Sequence, residues 1–211
     1  MSATAPPRSP GARCAAKPIW TLRSLARVLP DLPGHLRRVA PTVLGAPISN
    51  SLRERIMLAV AAENRCRYCQ LAHGVMGEAA GESPADIARI LAGDDAGLEP
   101  REALALAFAR DLARRGFASR DEALRARLGQ EFTDAERDAI ESSAHAMNFA
   151  NRFGNTFDEA LARLRGGGAT DGPADASPLD LAVVSGAFVA AAAVVAPAVG
   201  ALKLALALRR T

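Results

Sequence analysis

Two of the chain's three cysteines and one of its three histidines fall in one short stretch, Cys66-Arg67-Tyr68-Cys69-Gln70-Leu71-Ala72-His73. Two thiols separated by two residues at the start of a helix make a compact redox device. The first turn brings the sulfurs within bridging reach, and the free N–H groups of a helix terminus favour a thiolate. The thiolate attacks a peroxide or a disulfide, and the second cysteine resolves the intermediate as an internal disulfide. His73 stands four residues past Cys69, one turn along the same helix face. An imidazole there can take up and return protons near neutral pH. That neighbourhood assigns attack to Cys69 and resolution to Cys66. Two other readings fit the same residues. A zinc site would need a further ligand, such as His145 or Glu54, and Cys-x2-Cys-x3-His is not a usual zinc spacing. Two buried cysteines beside a capping histidine would carry no chemistry at all. Covalent haem attachment requires His directly after the second Cys, where this chain has Gln70.

The elements that must position these groups read as helices. Leu52, Ile56, Ala59 and Val60 recur at helical spacing, with Asn50 or Ser51 as the expected cap and Asn64 as the end. The dithiol opens the next helix. Ser83-Pro84-Ala85-Asp86 reads as a helix start, and "REALALAFARDLARR" as a helix ending at Gly116. Ser119 is expected to begin another. Thr133 and Glu136 form a capping-box pattern that opens a long helix from Asp134 to about Leu164. On that helix His145, Asn148 and Arg152 share a face, as a buried hydrogen-bond network or a subunit contact would require. Glu63, at a helix end, is expected to be solvated. No run alternates with period two, so the fold class is all-α.

Composition agrees. Hydrophobic residues make up 49% of 211 but aromatics only 4%, which points to helices packed through small aliphatic side chains. The net charge is +3. With so few aromatics there is no base-stacking platform, so nucleic-acid binding is not expected. An odd cysteine count with two close together does not make a secreted disulfide framework, and no signal-like apolar run opens the chain. Both point to a cytoplasmic redox domain. The expected organisation is a disordered basic arm (1–18, holding Cys14 as an incidental thiol) and a helical domain (19–165). A flexible linker (166–178) and a separate apolar C-terminal helix (179–211) follow. His35 carries no signal.

Residues 181–202 are uncharged and long enough to span a bilayer. Nine of them are Ala, and Pro197, Ser185, Gly186 and Gly200 weaken insertion. Lys203, Arg209 and Arg210 would by the positive-inside rule leave the C-terminus cytoplasmic, which conflicts with a cytoplasmic dithiol domain. The segment is therefore read as a span, an interfacial helix, or a helix packed on the protein.

The run "LRERIMLAVAAENRCRYCQLAHG" resembles the signature of the alkyl hydroperoxidase D/carboxymuconolactone decarboxylase superfamily: a Glu, then Cys-x-x-Cys, then His, here Glu54, Cys66, Cys69 and His73. "TDAERDAIESSAHAMNFANRFGNTFD" resembles the family's later helix, with Asn148, Asn151 and Arg152. The resemblance covers about residues 35–165 and implies an all-helical fold assembled as a trimer or hexamer. Members with the dithiol are thiol-dependent peroxidases or disulfide reductases, re-reduced by a partner such as a lipoyl carrier or a thioredoxin-like protein. Members that decarboxylate the muconolactone lack the pair. The resemblance further implies that Glu54 orients His73 or a bridging water. Tyr68 stands where some of these peroxidases have a relay His, and a phenol shuttles protons less well at neutral pH. No cofactor or metal is expected. The alternatives are a lyase of the decarboxylase branch with His73 as acid–base, and a non-catalytic zinc-binding or redox-sensing protein.

Overall fold

The computed structural model describes residues 17–28, 47–166 and 176–208, with positions 30, 33, 34 and 37. Cys14, His35, most of the expected arm and residues 167–175 of the expected linker lie outside them. Among the described residues there are eight helices and no strand: α1 (Leu22–Val28), α2 (Asn50–Glu63), α3 (Arg67–Ala79), α4 (Pro84–Ala92), α5 (Pro100–Arg114), α6 (Glu122–Glu131), α7 (Asp134–Leu164) and α8 (Pro178–Leu208).

Local chemistry sets most of the starts. Ser83 accepts the Asp86 N–H with Pro84 in the first turn, and Gly93 at φ +79° ends α4 in the left-handed conformation that glycine tolerates. Thr133 and Glu136 form the expected reciprocal box. Two starts differ from expectation. Ser49, rather than Asn50 or Ser51, caps α2, accepting the Leu52 N–H. Asp121, rather than Ser119, caps α6, its carboxylate accepting two amides, from Ala123 and Leu124, which a single hydroxyl further back cannot do.

Helix α2 is the axle of the fold, packing against α3, α4, α5 and α7. Sequence periodicity marks one apolar face, but the helix is buried nearly all round. Ile56, Leu58, Ala59, Val60 and Ala61 have no exposed surface. Each large side chain so buried contributes about 1.5–3 kcal/mol relative to exposure. Phe108, Leu106, Ile90, Leu128 and Ile140 complete the core from α5, α4, α6 and α7.

The N-terminal segment is pinned to α7. Trp20 is buried, donates from Nε1 to the Phe149 carbonyl at 3.1 Å, and meets the Phe149 ring edge-on. Lys17 and Pro18, read from sequence as part of the arm, are held by Asp158 at 3.6 Å and by the Asn155 amide at 3.1 Å. The apolar C-terminal helix is present. Its first turns lie on α7 and α3, with Leu181, Val184 and Ser185 buried. Ala176, placed in the expected linker, is buried too, and its carbonyl accepts from Arg163. Asp180 fastens this end, accepting the Ser177 N–H at 2.8 Å and the Leu22 N–H at the start of α1 at 2.6 Å.

Candidate active site

The dithiol sits at a helix-to-helix elbow. At the end of α2 the Arg65 N–H bonds to the Ala62 carbonyl and the Cys66 N–H to the Ala61 carbonyl. This is a Schellman closure, with Arg65 at φ +56° in the left-handed position that usually holds glycine. The closure turns the chain so that Cys66 becomes the N-cap of α3. The elbow is clamped from α7. Asn155 donates to the Asn64 carbonyl at 2.9 Å, Asn151 to the Val60 carbonyl at 3.4 Å, and the Asn64 side chain to Asn148 at 3.2 Å.

Both thiols are free and buried. The Cys66 sulfur accepts the Cys69 N–H at 3.4 Å, as a capping side chain does. The Cys69 thiol donates to it as well, and together these hold the Cys66 thiol below its ordinary value despite burial. Cys69 is pushed up, because its proton is engaged by Cys66 and burial disfavours its charge. The cap and the Cys69 donors thus act on the Cys66 sulfur, whereas spacing alone pointed to Cys69 beside His73.

His73, one turn beyond Cys69 on α3, lies with Nδ1 2.7 Å from Glu54 Oε2. A carboxylate only accepts, so Nδ1 carries a proton, and in the neutral ring the acceptor is Nε2. Glu54 is 5% exposed, and Arg53 Nε approaches its other oxygen at 3.7 Å. The spacing between Glu54 and His73 thus closes into a real dyad between α2 and α3.

The wall around Cys66 comes from residues far away in sequence. A Cβ at Gly154 would stand 2.8 Å from the Cys66 sulfur and 3.7 Å from the Phe188 ring, so only glycine lets α7 pass there. Tyr68, Phe157 of α7 and Phe188 of α8 form a ring cluster with centroids 5.2–5.7 Å apart. The Tyr68 hydroxyl receives a bond from Arg67 and donates to Asp158 at 3.1 Å, while burial holds its proton more firmly than in an ordinary phenol. A groove of about 280 Å³ lined by Lys17, Arg67, Asp158 and Arg165 runs alongside, without either cysteine in its lining.

Cys66, Cys69 and Tyr68 therefore meet at one place, with the Glu54–His73 pair one turn further along α3, and Asn148 supports the elbow. His145 and Arg152 do not join them. His145 meets the Phe117 ring at a tilt, with centroids 4.9 Å apart, near Glu141, and Arg152 lies over the Trp20 ring at 4.7 Å. Neither His145 nor Glu54 is placed as a third ligand to the thiols. Among the described residues no group of three or more His, Cys, Asp or Glu side chains has the geometry to hold a metal ion. Glu63 is not simply solvated, since it pairs with Arg114 at 2.7 Å and Arg110 at 3.8 Å. Sequence reasoning missed Gly154, Asn155, Asp158 and Phe188. Asn155 and Asp158 extend the polar stripe already visible on α7, but no local signal marks Gly154 or Phe188.

The crystal structure of an uncharacterized peroxidase-related protein from Silicibacter sp. TM1040 is similar in fold. The TM-score is 0.50 and the identity 23%, over 67% of this chain and 71% of that one. No curated protein is significantly similar to this chain. Residues 30–111 match the model of the carboxymuconolactone decarboxylase family. That segment contains the elbow, both thiols and the Glu54–His73 dyad, so the stretch of the chain that is similar to the family is the one that carries the candidate site.

Proposed function

We propose that the protein is a thiol-dependent peroxidase or disulfide reductase working through a Cys66–Cys69 cycle. The observation that carries this reading is the Cys66 sulfur at the α3 cap, accepting from Cys69, with the Glu54–His73 dyad one turn beyond. The family match and the likeness to a protein titled peroxidase-related support it. The Cys66 thiolate attacks the terminal peroxide oxygen. The O–O bond breaks, the alcohol leaves with a proton, and Cys66 becomes a sulfenic acid. The Cys69 thiol, whose proton is held tightly, gives that proton to His73 Nε2, while Glu54 stabilises the imidazolium. Cys69 then attacks the Cys66 sulfur, and water leaves with the returned proton. One peroxide and two thiols yield an alcohol, water and a disulfide. A disulfide substrate enters the same cycle by exchange. An external dithiol, on a lipoyl carrier or a thioredoxin-like protein, restores the reduced form, and the working unit is a homo-oligomer, a trimer or hexamer.

Thiol titration tests this. One equivalent of peroxide should consume two thiols in the wild type and leave Cys14 free. Cys66→Ser should lose the reaction, whereas Cys69→Ser should accumulate a trappable sulfenic acid. Full steady-state turnover by Cys66→Ser would falsify the cycle.

A further inference from the structure

Helix α8 changes character along its length. Up to Phe188 it is docked, fastened by Asp180 and buried at Leu181, Val184 and Ser185. Beyond Phe188 its apolar side chains face outward: Val189, Val194, Val195 and Leu204 are 49–77% exposed. Only 6% of the helix's most apolar stretch is buried. From Val189 to Leu208 the sole charged residue is Lys203, and the apolar residues surround the helix instead of forming a stripe. A helix read by a protein groove presents one apolar face, and one lying on a membrane surface has a polar side. A helix that is apolar all round suits lipid. These 20 residues extend about 30 Å at 1.5 Å per residue, the thickness of a bilayer's hydrocarbon core. Lys203, Arg209 and Arg210 follow at the end away from the dithiol, where long basic side chains reach the headgroups of the far leaflet.

The junction between the two parts is at the dithiol. Phe188 packs on Tyr68 and Phe157, and beside Gly154, the residue against the Cys66 sulfur. We propose that the outer part of α8 inserts into a lipid bilayer and holds the Cys66 side of the protein at the lipid boundary, so that the substrate is a lipid hydroperoxide. This substrate class rests on the peroxidase reading above. The Tyr68–Phe157–Phe188 cluster then receives the acyl chain, and the peroxide oxygen meets Cys66. The stoichiometry is unchanged: the lipid leaves as its alcohol, and the external dithiol supplies two electrons and two protons.

Flotation and turnover of the full-length protein test the two parts separately. The wild type should float with vesicles of phosphatidylcholine and phosphatidylglycerol. Val194→Asp combined with Val195→Asp should stay at the bottom, with unchanged helical circular dichroism. In the same variant, reduction of hydroperoxide carried in the vesicles should fall at least tenfold, while reduction of tert-butyl hydroperoxide in solution stays at the wild-type rate. A wild type that stays at the bottom overturns the anchor, and if it does so as a defined assembly by light scattering, α8 packs on another copy of the chain. A variant that floats like the wild type also overturns it. Equal loss on both peroxides overturns the substrate assignment. If neither peroxide is reduced, the peroxidase reading falls and the substrate class with it, while flotation still decides the anchor.

Discussion

Helices α2 and α8 invert the usual relation between composition and burial. Helix α2 carries four charged residues among 14, yet eight of its residues are buried, Glu54 included. Helix α8 carries two charged residues among 31, yet buries three. Burial follows partners. Helix α2 has four helices around it, and its charges are answered by His73, Glu82, Glu102, Arg110 and Arg114. Helix α8 has α7 and α3 along its first turns. The more polar helix became the core because its charges have specific partners, which makes a buried carboxylate affordable and chemically useful.

The contrast can be broken in four places. Glu54→Gln keeps the shape of the dyad but removes the charge that stabilises a protonated His73. Peroxide consumption should slow by about 10²–10⁴-fold with the fold intact by circular dichroism; an unchanged rate would make the buried charge of α2 a packing feature only. Leu58→Ala, at a position with no exposed surface, should cost about 2–5 kcal/mol in urea unfolding. A cost below 1 kcal/mol would mean that α2 is not the axle.

The elbow at the end of α2 offers a titration. Because Cys66 is held below an ordinary thiol, its thiolate should form at lower pH, and its ultraviolet absorbance should rise through a midpoint below that of free cysteine. Cys69→Ala removes the thiol donor and leaves the backbone donor, so the midpoint should move upward. A midpoint unaffected by the substitution would assign the effect to the helix terminus alone. At the other extreme, Val194→Ala on the exposed part of α8 should change stability in solution by less than about 0.5 kcal/mol. A larger loss would show that this part has a partner within the protein.

Features written within a few residues were legible in the sequence. The Ser83 cap, the Thr133 box, the end of α2 at Asn64 and the dithiol at the start of α3 all follow from local hydrogen-bonding rules, and the helices came with them. Glu54 and His73 lie 19 positions apart and needed the family pattern. Gly154 could not be read, because its meaning is a close approach to a sulfur on another helix. Phe188 looked like one more apolar residue in an apolar segment. The docking of α8 was hidden for the same reason, since Leu181 and Val184 differ from their neighbours only by what they touch. The capping role of the Cys66 sulfur was hidden as well, since spacing alone drew attention to Cys69 beside His73.

The elbow has a further consequence for how fast the site can open. The Cys66 amide completes the last turn of α2 while its sulfur begins the first turn of α3. A backbone fluctuation that uncovered the sulfur would have to undo both helix ends and the Asn155 clamp together, so it belongs with the rare, cooperative openings of the domain. Side chains are cheaper to move. In the proposed cycle, entry to Cys66 would run through rotations of Tyr68 and Phe188, which pack beside it, while the backbone that aligns the two sulfurs stays still.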